Sequence, residues 1–124
     1  MLIHEALTGE ILGAAFEVHG ILGPGFLESV YEEALAYELQ ARGFEVDRQV
    51  RIPIKYKRIK AGEHVLDLIV ERKVIVELKA ISALADIHVA ITLSYLKATN
   101  LQVAMLLNFG QMGLEHKRVV GRPQ

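Results

Sequence analysis

The chain has no cysteine and only three prolines among its 124 residues. Without cysteine, a disulfide scaffold, a thiolate nucleophile and a cysteine-based zinc site are excluded. A reducing compartment is in keeping with that absence. No charge of one sign predominates: 14 Lys and Arg stand against 15 Asp and Glu. Bulk charge therefore points to neither nucleic acid nor membrane, and any steering must come from local clusters. No apolar run approaches the roughly 18 residues of a membrane span. The start, Met1 to Glu5, lacks the basic and apolar regions of a signal peptide, so a cytoplasmic location is expected. Repeats, low-complexity stretches and linkers are missing as well, and the length suits one domain over residues 1–124. His19, His64, His88 and His116 are scattered, with none of the close histidine pairs of a zinc hydrolase.

What is present is apolar. Hydrophobic residues make up 52% of the chain and the mean hydropathy is +0.28. Such a surplus in a small domain suggests a subunit interface.

Periodicity predicts the elements. Ile3, Leu7, Ile11, Ala14, Ala15 and Val18 recur at helical steps and predict a helix over residues 2–20. Gly20 to Gly25 breaks it with three glycines and a proline. These glycines follow no strand, so they read as a helix–helix turn and not as a dinucleotide loop. A second helix is expected over 26–42, with Gly43 as its left-handed cap. Alternation then predicts one strand or a bent pair over 44–56, with Pro53 marking an edge or a bulge. A turn is placed at Lys60–Gly62, strands at 65–70 and 74–80, and a helix at 82–99, capped by Ser82. A strand at 102–109, apolar enough to be buried on both faces, and a short strand at 115–120 complete the order ααβββαββ. The last residues, Gly121–Gln124, are expected to fray. The fold class is α/β, with a central mixed sheet flanked by helices.

One segment carries chemistry. In Val65–Lys79, Asp67 and Glu77 interrupt two otherwise apolar strands, and Lys79 shares the face of Glu77. Opposed residues of a hairpin have numbers with a constant sum. A three-residue loop, Glu71–Lys73, sets Asp67 opposite Glu77; a two-residue loop puts Asp67 on the other face. No Asn-Gly or Gly-Gly forces the shorter loop, so the three residues are expected to converge. Two buried carboxylates repel unless a cation joins them, and hard oxygen ligands suit Mg²⁺ or Mn²⁺. The plainer reading is a solvated charged hairpin face.

Asp67 followed by Glu77-Leu-Lys79 resembles the D…ExK signature of the PD-(D/E)XK nuclease superfamily. Gly25-x-x-Glu28-x-x-Tyr31 is similar to the motif that names the GxxExxY family within it. Leu93–Thr99 and Leu106–Gly110 are similar to later segments of that family. The resemblance covers nearly the whole chain. It implies a PD-(D/E)XK (restriction-endonuclease-like) core and metal-dependent hydrolysis of a phosphodiester. Asp67 and Glu77 would hold Mg²⁺ or Mn²⁺, Glu28 would be a third ligand, and Lys79 would position the attacking water. Tyr31 and Tyr95 join the expected site as motif residues.

The pattern departs from the superfamily at one place. A glutamine often stands four residues before Tyr95, and here that position is Ile91. The surrounding run 87–96 has almost no polar face, so its outer side is expected to meet another subunit. This supports an alternative: a catalytically inactive homo-oligomeric assembly domain on the same fold, reached by drift or by engineering at Val89 and Ile91. Finally, Arg48, Arg51, Lys55, Lys57, Arg58 and Lys60 form an acid-free basic run. It could contact the phosphates of a nucleic acid or simply guard an edge strand.

Overall fold

The computed structural model describes residues 2–121. The expected fraying of residues 122–124 lies outside them. The elements are α1 (Glu5–Leu22), α2 (Glu28–Ala41), β1 (Val46–Tyr56), β2 (Ile59–Val70), β3 (Val74–Lys79), α3 (Asp86–Thr99), β4 (Val103–Asn108) and β5 (Glu115–Val120). The order is the one the periodicity predicts.

Helix ends follow local chemistry. Gly23 adopts φ 69°, and its N–H donates to the carbonyl of His19 at 2.8 Å to close α1. Gly43 adopts φ 93° after α2, as a left-handed stop requires. The start of α3 differs from expectation. Ser82 does not cap it; the helix begins at Asp86, and the Nδ1 of His88 accepts from the N–H of Ala85 at 2.8 Å. A side chain reaching back from the first turn satisfies one of the donors a helix start leaves open. That contact gives His88 a structural role.

The five strands lie in the order β1-β2-β3-β4-β5. All neighbours are antiparallel except β3 and β4. That parallel pair needs a crossover connection, which α3 supplies. Pro53 lies on the edge strand β1, where its missing N–H costs no ladder bond. The strand β4 is buried throughout. The expected turn at Lys60–Gly62 is corrected: the hairpin turns at Lys57–Arg58, and Tyr56 pairs with Ile59. Lys57 accepts φ 54° without a glycine, and Gly62 instead pairs with Ile54, beside the register shift at Ile54/Lys55. Glycine in a strand often marks such an irregularity.

Helices cover both sheet faces. Ile11, Val18, Tyr31, Leu35 and Leu39 of α1 and α2 pack on Leu68, Val76, Leu78, Met105, Leu107 and Phe109. On the other face, Leu96 of α3 packs with Ile52, Leu66, Ile75, Ala104 and Val119. Leu66 and Leu68 thus face opposite layers, although strict alternation would put them on one. The strand flips at Asp67. Its neighbour flips too: Val46 belongs to the first layer and Val50 to the second. The change falls at Gln49, which has φ 49°, and the β1–β2 ladder skips the Gln49/Asp67 position.

The exposed area is 7388 Å², against roughly 6,600 Å² expected for this mass. The excess fits the β1–β2 ribbon, whose tip from Lys55 to Ala61 is exposed.

Candidate active site

The acidic hairpin forms in the three-residue register. Leu68 pairs with Val76, Ile69 with Ile75 and Val70 with Val74, so Asp67 and Glu77 come opposite each other beyond the last regular pair. There the side chains replace the ladder. The Asp67 N–H donates to Oε1 of Glu77 at 3.1 Å, and the Leu78 N–H donates to Oδ2 of Asp67 at 2.9 Å. Each carboxylate is clasped by the partner strand's backbone. The flip at Asp67 opens the ladder and frees the N–H groups for this clasp.

Glu77 is only 7% exposed. Burial, and next the charge of Asp67, push its carboxyl up to about 8, against a smaller opposing pull from Lys79. Asp67 is also raised, chiefly by burial, with the Leu78 hydrogen bond opposing and the charges of Glu32 and Glu28 adding to the rise. Tyr95 of α3 is pushed up to about 12, first by burial and then by the charges of Glu77 and Asp67. Its ring lies against that of His64 on β2, centroids 4.1 Å apart. By strand alternation from Ile75, Glu77 and Lys79 face the α3 layer.

The remaining expected residues are placed differently. Glu28 is exposed in the first turn of α2; its charge is felt by Asp67. Tyr31 is fully buried and stacks on Phe109 with centroids 4.6 Å apart. Its hydroxyl donates to the Gly23 carbonyl at 2.6 Å and accepts from the Phe26 N–H at 3.2 Å. That hydroxyl is spent on the loop before α2, so Tyr31 positions the helix that carries Glu28. Ile91 is 40% exposed on α3, and it brings no polar group to the site. The basic run does not form one cationic strip. Arg48 binds Glu32 at 2.9 Å and Glu33 at 2.7 Å, while Arg51 and Lys60 both bind Glu63. Lys55, Lys57 and Arg58 lie exposed at the ribbon tip.

Sequence reading assigned no role to Glu32, Gln49, His64 or Asn108. Glu32, 8% exposed, accepts from Gln49 and Arg48. Its position four after Glu28 was the available signal, since it puts both on one helix face. Gln49 carried no signal. Asn108 is fully buried and pairs with Lys79 in the β3–β4 register. Its side chain accepts from the N–H groups of Ile81 and Gly110 and donates to the Ile81 carbonyl and Glu115, each at 3.0 Å. It fixes the segment leaving Lys79. Gly110 completes this clamp: a Cβ there would lie 2.3 Å from the Ile81 carbonyl oxygen.

Among the described residues, no group of three or more His, Cys, Asp or Glu side chains could hold a metal ion. The Asp67–Glu77 pair nevertheless has the chemistry a hard cation selects. Mg²⁺ commonly binds through one or two carboxylates, with water and substrate phosphate completing its shell. A cation would also offset the like-charge repulsion that adds to burial in raising both groups.

The comparisons with known proteins bear on the family and the fold. The family model described as the PD-(D/E)XK nuclease superfamily matches residues 5–119. The crystal structure of SSO0001 superposes with a TM-score of 0.60 at 13% identity, covering 98% of this chain and 60% of that one. At that identity the likeness concerns the fold alone, and this chain spans less than two thirds of that structure. No curated protein matches it. Among the described residues, no helix is long and apolar enough to cross a membrane.

Proposed function

The chain belongs to the PD-(D/E)XK nuclease superfamily, and from that premise we propose that it is a metal-dependent nuclease of the GxxExxY type. The observation that carries this reading is the clasped Asp67–Glu77 pair, with Glu77 pushed up to about 8. Burial and like charge oppose ionisation of both carboxylates, and a cation bound between them would favour their ionised form. In this reading Asp67 and Glu77 would hold Mg²⁺ or Mn²⁺, with Glu28 as a direct or water-mediated third ligand. The metal, when bound, supplies Lewis-acid stabilisation of phosphoryl oxygens and a more acidic water. Lys79, on the face of Glu77, orients the attacking water and offsets charge growing on the phosphate. Tyr95 stays protonated and can donate a hydrogen bond to the substrate. The ribbon tip, with Lys55, Lys57 and Arg58, contacts the nucleic-acid backbone. A basic cluster on an otherwise balanced chain makes that contact salt-dependent.

The reading is tested by incubating the protein with single- and double-stranded DNA and with RNA in Mg²⁺ or Mn²⁺. Cleavage that disappears with chelator and in Glu77→Ala supports it. Cleavage unchanged in Glu77→Ala, or none of any substrate, contradicts it.

One observation favours a second reading. Ile87 is 61% exposed on α3, and Ile91 and Leu93 are each 40% exposed. A homo-oligomeric assembly domain would cover this apolar side. Its mass in solution, measured for the parent and for Val89→Glu with Ile91→Gln, separates the two readings. A multimer that dissociates in the variant supports assembly, whereas a monomeric parent excludes it.

A further inference from the structure

A second feature lies away from the acidic pair. Between the β2–β3 turn and the C-terminal end of α3 there is a cleft of about 860 Å³, within the range of small-molecule sites. Leu93, Leu96 and Leu101 supply its apolar wall, and Arg72, Lys73 and Lys97 its charge. Among the described residues lining it, none is acidic. On a chain with more acidic than basic residues, that separation of sign is local and specific.

The end of α3 opposes an anion, since a helix C-terminus carries about half a negative charge. Glu45 also draws on Arg72, at 3.3 Å. Three cations exceed both. The turn that presents two of them is strained. Glu71 and Arg72 adopt φ 54° and 56°, where Asn-Gly would sit at ease. Strain of this kind is held only where the surroundings fix it, and it gathers at functional sites. Lys73 also stands immediately before β3, four residues and about 13 Å of extended chain from Glu77.

We propose that this cleft binds the phosphate of a nucleotide, free or within a nucleic-acid strand, with the apolar part of the nucleoside on the leucine wall. The inference does not depend on catalysis at Asp67 and Glu77. It is tested on Glu77→Ala protein in the presence of chelator, so the acidic pair cannot recruit phosphate through a metal. The probes are adenosine monophosphate, inorganic phosphate and a short single-stranded oligonucleotide. The readouts are calorimetry and the amide resonances of Lys73, Leu93 and Leu101.

Saturable shifts at these amides, weakened about tenfold in Lys73→Glu with Lys97→Glu, are the expected result. Both lysines are exposed, so the variant keeps its fold, and an unchanged circular dichroism spectrum checks this. Binding of the mononucleotide identifies a free ligand as sufficient. Binding of the oligonucleotide alone identifies a strand. No saturable shift with either nucleotide probe, or shifts indifferent to charge reversal, overturns the proposal. Inorganic phosphate binding as tightly as the mononucleotide overturns the role of the leucine wall.

Discussion

The two faces of the sheet are built to different standards. Among the described residues, the face under α1 and α2 joins seventeen buried residues in one cluster, while the α3 face joins six. The first is continuous, apolar and closed by a stacked Tyr31–Phe109 pair. The second carries Glu77, Lys79, Tyr95 and His64, and only Thr92 and Leu96 of α3 are buried. The contrast shows how a small chain divides labour. Hydrophobic burial on one side provides stability, which lets the sheet keep Asp67 and Glu77, whose ionisation burial opposes.

The largest effect that tests this division is a core truncation. Leu107→Ala, in the thick layer, is expected to cost about 3–5 kcal/mol, read as a lower denaturation midpoint. A loss below about 1 kcal/mol would mean that the layer does not carry the stability assigned to it.

Next comes pH. Glu77 in the folded chain is pushed up to about 8 from 4.5, so between these values the folded state holds a proton that the unfolded state has lost. Metal-free stability therefore falls as pH rises from about 4.5 to about 8 and levels off above. Glu77→Gln should flatten that slope, as shown by urea midpoints across the window. A parent protein already flat there would contradict the burial of the pair.

Smaller effects probe the supports of the site. Asn108→Ala leaves the N–H groups of Ile81 and Gly110 without their partner, which should cost about 1–3 kcal/mol. Faster hydrogen exchange should be confined to the segment after Lys79; uniform loosening would make Asn108 a general core residue instead. The least effect is expected at Ile91, 40% exposed on the thin face. Ile91→Gln should change stability by less than about 0.5 kcal/mol, and a larger loss would show that this surface is covered in solution.

Much of the arrangement was legible because it rests on period. Helix stripes, the alternation of β3 and the absence of a two-residue turn signal at Glu71–Lys73 led to the register that sets Asp67 opposite Glu77. What escaped depends on partners distant in sequence. The flip at Gln49 and Asp67 exists only once β1 and β2 pair, and no local residue marks it. The turn at Lys57–Arg58 has no glycine to announce it. Arg48 read as a phosphate contact or an edge guard because nothing in its strand showed that Glu32 and Glu33 would reach it from α2. Tyr31 read as a site residue because it closes the Gly25-x-x-Glu28-x-x-Tyr31 motif, whereas its hydroxyl is held by the loop at Gly23.

The most direct measurement is a calorimetric titration of Mn²⁺ into the parent protein and Glu77→Ala, at a pH above 8 so that Glu77 is ionised. Saturable binding in the parent and none in the variant is the predicted result. No binding to the parent, or equal binding to both, would contradict the claim that Asp67 and Glu77 form a metal-binding site.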